Sequence, residues 1–313
     1  MKILLFGKNG QVGWELQRSL APLAAPGQLI TLGTDSHPLC GNLADSTGIK
    51  KTLQTVRPDV IVNAAAYTAV DKAEQEPQLA KTINAFAPGV LAKEAKRINA
   101  WLIHYSTDYV FDGSGNQPHK ETDAPDPLNV YGKTKLAGEI NIIESGCQHI
   151  ILRTSWVYAT YGSNFIKTIL RLAQERDHLQ IVSDQIGAPT GAELIADVTA
   201  HIIQSLRNRD NAGNVSGLYH LVARGFTSWH GFAHYILSEA ASADVSLKTT
   251  TGNLHPIPST DYPTPAVRPL NSRLDTTKLQ ETFKLFLPEW QDGVLRTLSE
   301  VLANQQSLVR KSD

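Results

Sequence analysis

Cysteine is nearly missing from this chain: Cys40 and Cys147 are the only two in 313 residues. They have neither C-x-x-C nor zinc-ligand spacing, which argues against a disulfide framework and for a reducing, cytoplasmic setting. An excess of charge of one sign is missing too. Lys and Arg number 29 against 30 Asp and Glu, a formal net charge of −1, and no basic run or stripe occurs. The electrostatic footprint of a nucleic-acid binder is therefore absent. Long apolar runs are also lacking. Ile3-Leu4-Leu5-Phe6 ends at a glycine, too short for a signal peptide or a membrane span, and no later run could span a bilayer. There is no internal repeat and no low-complexity tract. What is present, 42% hydrophobic and 19% charged residues, suits a globular chain with a substantial core and two domains.

The N-terminal half alternates strands with helices. Lys2 to Phe6 reads as a buried strand. Gly7, Gly10 and Gly13 follow as G-x-x-G-x-x-G, and Val12, Leu16 and Leu20 recur at helical spacing. Strand, glycine turn and helix are the context of a dinucleotide fingerprint, in which backbone approaches a pyrophosphate at a helix start. Gln28 to Leu32 reads as the second strand. Asp35 beyond it sits slightly late for an adenosine hydroxyl, and no Arg or Lys lies nearby in sequence for a 2′-phosphate. NAD and NADP both remain open. Val60 to Val62 is the third strand. The small residues of Asn63-Ala64-Ala65-Ala66 let a ring or ribose lie close to the backbone. Pro88 is expected to interrupt a helix.

Trp101 to His104 is the fourth strand and runs into Tyr105-Ser106-Thr107-Asp108. Ligands of open α/β sheets bind beyond the carboxyl ends of strands, so the Thr107 hydroxyl can point into the crevice. His104 reads as a packing residue. Gly113 to Pro127 is polar, rich in Gly and Pro, and reads as a loop over the crevice. Tyr131 and Lys135 are four apart, which puts both on one helix face. An ammonium beside a phenol lowers the phenol's pKa and makes a better proton donor near neutral pH. Taken alone, the pair also fits an ordinary surface helix. His149 to Val157 is a further strand, and Trp156 near its end is either a stacking platform or core.

Beyond it, Phe165, Ile169, Leu172 and Arg176 predict a helix after Asn164. Leu179 to Val182 predicts a strand returning to the main sheet. Ile195, Val198, Ile202 and Leu206 mark another helix, and Gly217 to Val222 another strand. Phe232, Tyr235, Ile236 and Glu239 mark a helix capped by Thr227 or Ser228. Five prolines from Pro256 to Pro269 predict an extended loop, and a last helix is expected over roughly 288–303.

The segments Phe6 to Leu16, Asn63 to Asp71, Tyr105 to Phe111, Asn129 to Glu139, Arg153 to Tyr158, Asp184 to Thr190 and Arg268 to Leu274 carry a resemblance over nearly the whole chain. They resemble the extended, nucleotide-sugar branch of the short-chain dehydrogenase/reductase superfamily, and within it the dTDP-4-dehydrorhamnose reductases. The resemblance implies an α/β fold, a Rossmann-type doubly wound parallel sheet with a smaller, interleaved C-terminal substrate domain. The division would be 1–157 for the NAD(P)-binding domain, with later returns near 177–187 and 217–240, and 158–313 for the substrate domain. It implies reduction of the C4 ketone of a dTDP-sugar by NADPH or NADH, for surface polysaccharide. Tyr131 would donate the proton, Lys135 would bind the nicotinamide ribose and lower the tyrosine pKa, and Thr107 would hydrogen-bond the C4 oxygen. Gly7, Gly10, Gln11, Val12, Gly13, Asn42, Leu43, Ala64, Ala65, Ala66, Tyr67, Thr68 and Tyr105 would meet the dinucleotide. Asp108 and Trp156 would touch the substrate, with Gln185, Thr190 and Arg273 as further candidates. Some relatives are similar in pairing as homodimers through Mg²⁺ held by glutamates, here Glu15, Glu193 and Glu300.

Two positions depart from that pattern: Gly33 stands where relatives often carry an acid, and Asn42-Leu43 where they carry Asp beside an apolar residue. Both leave the adenosine end open. A nucleotide-sugar epimerase or dehydratase is an alternative, although the acidic pair of dehydratases is missing because Tyr109 follows Asp108. A non-catalytic regulatory subunit of the same fold is another.

Overall fold

A computed structural model describes residues 1–207 and 215–309, with side chains described to residue 304. Six parallel strands form the main sheet: β1 (Ile3–Phe6), β2 (Leu29–Leu32), β3 (Val60–Asn63), β4 (Trp101–Thr107), β5 (His149–Thr154) and β6 (Gly217–His220). Their order is β2-β1-β3-β4-β5-β6. The strand order reverses between β1 and β3, and the crevice for a ligand opens there. All four residues of β1 are buried, as a strand covered on both faces requires.

Alternation along β1 divides the core into two layers. Ile3 and Leu5 face α1 (Gln11–Leu20) and α6 (Ala192–Arg207), meeting Leu16, Leu20, Ile195 and Ile202. Leu4 and Phe6 face α2 (Ser46–Val56), α3 (Ala87–Ile98) and α4 (Val130–Ser145), meeting Leu53, Leu91 and Ile142. A separate core joins α5 (Phe165–Glu175), α7 (Trp229–Ser242) and α8 (Trp290–Val309) through Ile169, Phe232, Ile236, Val294 and Leu298.

Helix starts follow their caps. Asn129 accepts the Gly132 N–H at 2.8 Å and sets the register of α4, which fixes where Tyr131 and Lys135 point. Gly146 at φ 65° ends that helix. Ser228, not Thr227, caps α7.

Three expectations need correction. Leu179–Val182 does not return to the main sheet; it pairs in parallel with Leu254–Ile257. Leu179 and Leu254 pack into the second core, so hydrophobic burial holds this pair away from the Rossmann layer. The segments after β5 that do join the Rossmann layer are β6, within the expected 217–240 stretch and in register with β5, and α6, which packs over β1 beside α1. Pro88 does not interrupt its helix. A π-helical turn at Thr82–Phe86 leads straight into α3, and Pro88 sits at the first turn after it, where its missing N–H costs little. The proline-rich stretch is not loop throughout, because Leu254–Ile257 is a strand and Ser259–Asp261 a 3₁₀ turn.

Candidate active site

The glycine turn is fixed by close packing. Gly7 has φ +89°, and a Cβ there would stand 2.6 Å from Ala65 N. A Cβ on Gly13 would stand 1.9 Å from Gly7 O. These two contacts press the start of α1 against the ends of β1 and β3. Gly10 is the N-cap residue and supplies no side-chain cap. The N–H groups at the start of α1 therefore stay open to an anion, and a dinucleotide pyrophosphate fits there. Lys8, Asp35, Ser36 and His37 line a cleft of about 320 Å³ beside this turn. The sequence near Asp35 offers no cation, but the fold brings Lys8 to it. Leu43 is buried in the α2 layer, which leaves only its backbone for a cofactor, whereas Asn42 is half-buried.

Ala64, Ala65 and Ala66 follow β3 and are half-buried along the crevice, and Thr68 is exposed. Tyr67 donates its hydroxyl to Glu76 at 2.8 Å. Tyr105 differs from expectation. Its hydroxyl pairs with Thr199 of α6 at 2.8 Å, so the ring lies under the sheet and only its carbonyl faces Lys135.

Thr107 at the end of β4, Asp108 after it and Tyr131 on α4 form one cluster. Tyr131 is hydrogen-bonded to Thr107, and Thr107 Oγ1 donates to Asp108 at 3.0 Å. Burial pushes the Asp108 carboxyl up to about 6, against hydrogen bonds from Ser272 and Thr107. The second Asp108 oxygen is buried without a partner. Tyr109 packs edge-on against Tyr131. The expected lowering of the Tyr131 pKa by Lys135 is not found. Burial pushes Tyr131 up to about 12, Asp108 adds to this, and only Thr107 opposes it. The reason is geometric: the buried Lys135 ammonium donates to the Tyr105 carbonyl at 2.6 Å and lies 3.4 Å from His104 Nε2. Burial pulls Lys135 down to about 8.

Trp156 has φ 47°, a strained conformation for a bulky residue. Its ring stacks on Trp229, with centroids 3.7 Å apart. The stack joins the end of β5 to α7 and packs the ring against the second core. A cleft of about 750 Å³ opens beside it, lined by Phe165, Arg176, Gln185, Trp229, Tyr262 and Arg268 among others. Arg268 reaches back to Asp71 at 2.9 Å. Of the further candidates, Gln185 lies in this cleft. Thr190 is fully buried and bonded to the Ala188 carbonyl, so it is structural. Arg273 bonds Asn271 at 3.0 Å and covers the Phe226 ring. Trp229 and Tyr262 went unread in the sequence, and Arg176 was read only as a helix position although it is the C-cap residue just past α5, since nothing local marks residues that converge only in the fold.

Glu15, Glu193 and Glu300 do come together around one cleft of about 210 Å³, but as partners of arginines. Arg18 meets Glu15 at 3.3 Å and Arg296 meets Glu193 at 2.6 Å. Arg296 also reaches Glu300 at 3.5 Å, while Thr160 donates to Glu300 at 2.7 Å. Two guanidinium groups already supply the positive charge, and among the described residues no cluster of His, Cys, Asp and Glu could hold a metal ion. The three glutamates are thus neighbours as expected, and the arrangement among the described residues lends a Mg²⁺ ion no support.

A profile of the family described as RmlD substrate binding domain matches residues 1–303. A dTDP-4-dehydrorhamnose reductase of Shigella flexneri is 56% identical over 301 residues, covering 96% of this chain and 98% of that one. The crystal structure of a dTDP-4-dehydrorhamnose reductase from Clostridium acetobutylicum superposes with a TM-score of 0.83 at 34% identity, covering 96% and 99% of the two chains. That of Bacillus anthracis, solved in complex with NADP, gives 0.81 at 33% identity over 96% and 100%. With the glycine turn, the strand-end threonine and the Tyr-Lys helix in place along its whole length, the chain belongs to the dTDP-4-dehydrorhamnose reductase family.

Proposed function

We propose that this chain reduces the C4 ketone of dTDP-4-dehydro-β-L-rhamnose to dTDP-L-rhamnose, with NADPH or NADH as reductant. The observation that carries this reading is the Tyr131–Thr107–Asp108 cluster at the carboxyl end of β4, beside the glycine turn. A bound nicotinamide dinucleotide supplies the hydride. The open N–H groups at the start of α1 would hold its pyrophosphate, Lys8 and Asp35 would flank its adenosine end, and Lys135 would meet its ribose.

Hydride arrival at C4 pushes the carbonyl π pair onto oxygen. Tyr131, a phenol that is protonated at neutral pH even at its ordinary pKa and that burial pushes up to about 12, gives its proton to that oxygen. Thr107 positions the phenol and stabilises the developing charge. The phenolate left behind takes its proton back from solvent. A raised pKa suits this direction: Tyr131 stays a donor until the alkoxide forms.

The 750 Å³ cleft takes the nucleotide. Trp229 and Tyr262 offer flat faces for a base, and Arg176 offers a fork for a diphosphate, while Arg268 on the same wall is held by Asp71. The free thiols Cys40 and Cys147 support a cytoplasmic setting. The product serves surface polysaccharide, and the exposed Trp14–Tyr161 stack, at 4.3 Å, is the proposed contact of a homodimer. Light scattering checks the dimer. A coupled assay with dTDP-4-keto-L-rhamnose, run in parallel with NADH and NADPH, checks the reaction. Absence of oxidation with either cofactor would refute it.

A further inference from the structure

Asn63 on β3 and His104 on β4 are register partners in neighbouring strands, and both are buried. Their side chains therefore meet on one face of the sheet. The direction of the Asn63 amide is set by its neighbour. Its Oδ1 accepts the Ala65 N–H at 3.3 Å. That leaves Nδ2, which can only donate, 3.0 Å from His104 Nδ1. Nδ1 must accept, and a neutral imidazole with an accepting Nδ1 carries its proton on Nε2. This N–H faces Lys135 Nζ at 3.4 Å. An ammonium has donors only. While Lys135 is charged, two donors oppose each other; once it is an amine, its lone pair accepts from Nε2. The amine still donates to the Tyr105 carbonyl, 2.6 Å away.

We propose that His104 is a positioning residue for Lys135, locked by Asn63 in the tautomer that favours the amine over the ammonium when no dinucleotide is bound. The proton that Lys135 gives up goes to solvent, and no other bond changes. The proposal rests on the reading of Lys135 as the residue that meets the ribose.

The other groups around Lys135 do not reverse this. Glu139, one turn along α4, favours the ammonium, but Arg153 of β5 takes both its oxygens at 2.9 and 2.6 Å. Tyr105, on β4, offers Lys135 a neutral carbonyl, and Tyr131, one turn back on α4, stays protonated to about 12. Burial acts in the same direction as the lock. It pulls Lys135 down to about 8 and, with Lys135, holds His104 well below its ordinary range, so the ring is neutral. Above about pH 8 the residue that should clamp a ribose has lost its charge.

NMR titration of the protein without cofactor or substrate, with ¹³C-lysine and ¹⁵N-histidine labels, tests this. Lys135→Arg assigns the lysine signal. The expected result is a His104 proton on Nε2 and a Lys135 midpoint near 8. Asn63→Leu frees Nδ1 to take the proton and turns the Nε2 lone pair to Lys135. The midpoint then rises by about one pH unit or more, tenfold in proton affinity. His104→Gln should act alike by offering a carbonyl, and it replaces Asn63→Leu should that variant not fold. A wild-type proton on Nδ1, or an unmoved midpoint in every variant that folds, overturns the proposal. These signals are read without turnover, so failure of the reductase assay leaves them standing, and their failure leaves the assay standing.

Discussion

Replacing Arg153 with methionine should cost the fold about 3 kcal/mol, and the structure shows where that number comes from. Arg153 on β5 and Glu139 on α4 are both buried, and the guanidinium grips the carboxylate through two bonds of 2.9 and 2.6 Å. Removing one member of such a pair strands the other charge in the interior, which costs about 3–5 kcal/mol. Two features set the value near the lower end. Arg153 Nη1 already lacks a partner, so part of its desolvation is uncompensated now. Phe111, whose ring lies 5.0 Å from the guanidinium, can pack on methionine instead. For a chain of 313 residues, with an unfolding entropy of about 2.1 cal/mol/K per residue, the loss lowers Tm by about 5 °C. The double variant Arg153→Met, Glu139→Leu removes both charges and should recover most of it, because well-packed apolar replacements of a buried pair are often neutral. Urea denaturation of wild type, single and double variants reads all three. A single variant within about 1 kcal/mol of wild type, or a double variant no better than the single, would refute the reasoning.

Tyr131→Phe should lower kcat by roughly 10²–10⁴-fold with little change in KM, the range for a lost general acid; unchanged kcat removes Tyr131 from the chemistry. Gly13→Ala puts a Cβ 1.9 Å from the Gly7 carbonyl. It should weaken NADPH binding about tenfold or more by fluorescence titration while the far-ultraviolet circular dichroism stays native. His220 is held down to about 3 by burial and by Arg153. The unfolded chain takes a proton near pH 6.5 that the folded chain refuses, so stability is lost as pH falls through that window, by up to about 1.4 kcal/mol per pH unit for this group. Asp108, raised to about 6, acts in the opposite sense, stabilising as pH falls from 6 towards 4. On going from pH 6.5 to 4.5 the urea midpoint of His220→Gln should therefore shift to higher urea relative to the same change in wild type, since only the opposing Asp108 contribution is left; an identical signed change in both would remove His220 from the pH dependence.

Particular residues show what the sequence makes legible. Gly7 and Gly13 announced a turn because no other side chain fits there, and the contacts at Ala65 and Gly7 O bear this out. Thr107 and the shared face of Tyr131 and Lys135 followed from local rules, strand end and helix spacing, whereas the Asn129 cap that sets the α4 register came only with the structure. The partner of Lys135 did not. Its environment depends on strand register, which sets Asn63 against His104, and on burial, which reverses the expected shift of Tyr131. Glu15, Glu193 and Glu300 were read as neighbours, and they are. What the sequence does not show is that Arg18 and Arg296 pair with them, since Arg296 lies far in sequence from Glu15 and Glu193. Lys8 near Asp35 was hidden for a similar reason, since β1 and β2 are adjacent in space but separated in sequence by α1.

The order in which the main sheet is filled bears on how the chain is made. β5 ends at Thr154, and its neighbour β6 begins only at Gly217. In between, the chain builds α5 in the second core and α6 over the sheet. A ribosome adding about 5–20 residues per second needs several seconds to synthesise that interval. During those seconds the nascent chain carries β5 as an unpaired edge, with its backbone donors and acceptors open to another chain. The last parallel strand thus acts as a latch, fastened late in translation, and chaperone dependence should track how long the β5 edge waits for it.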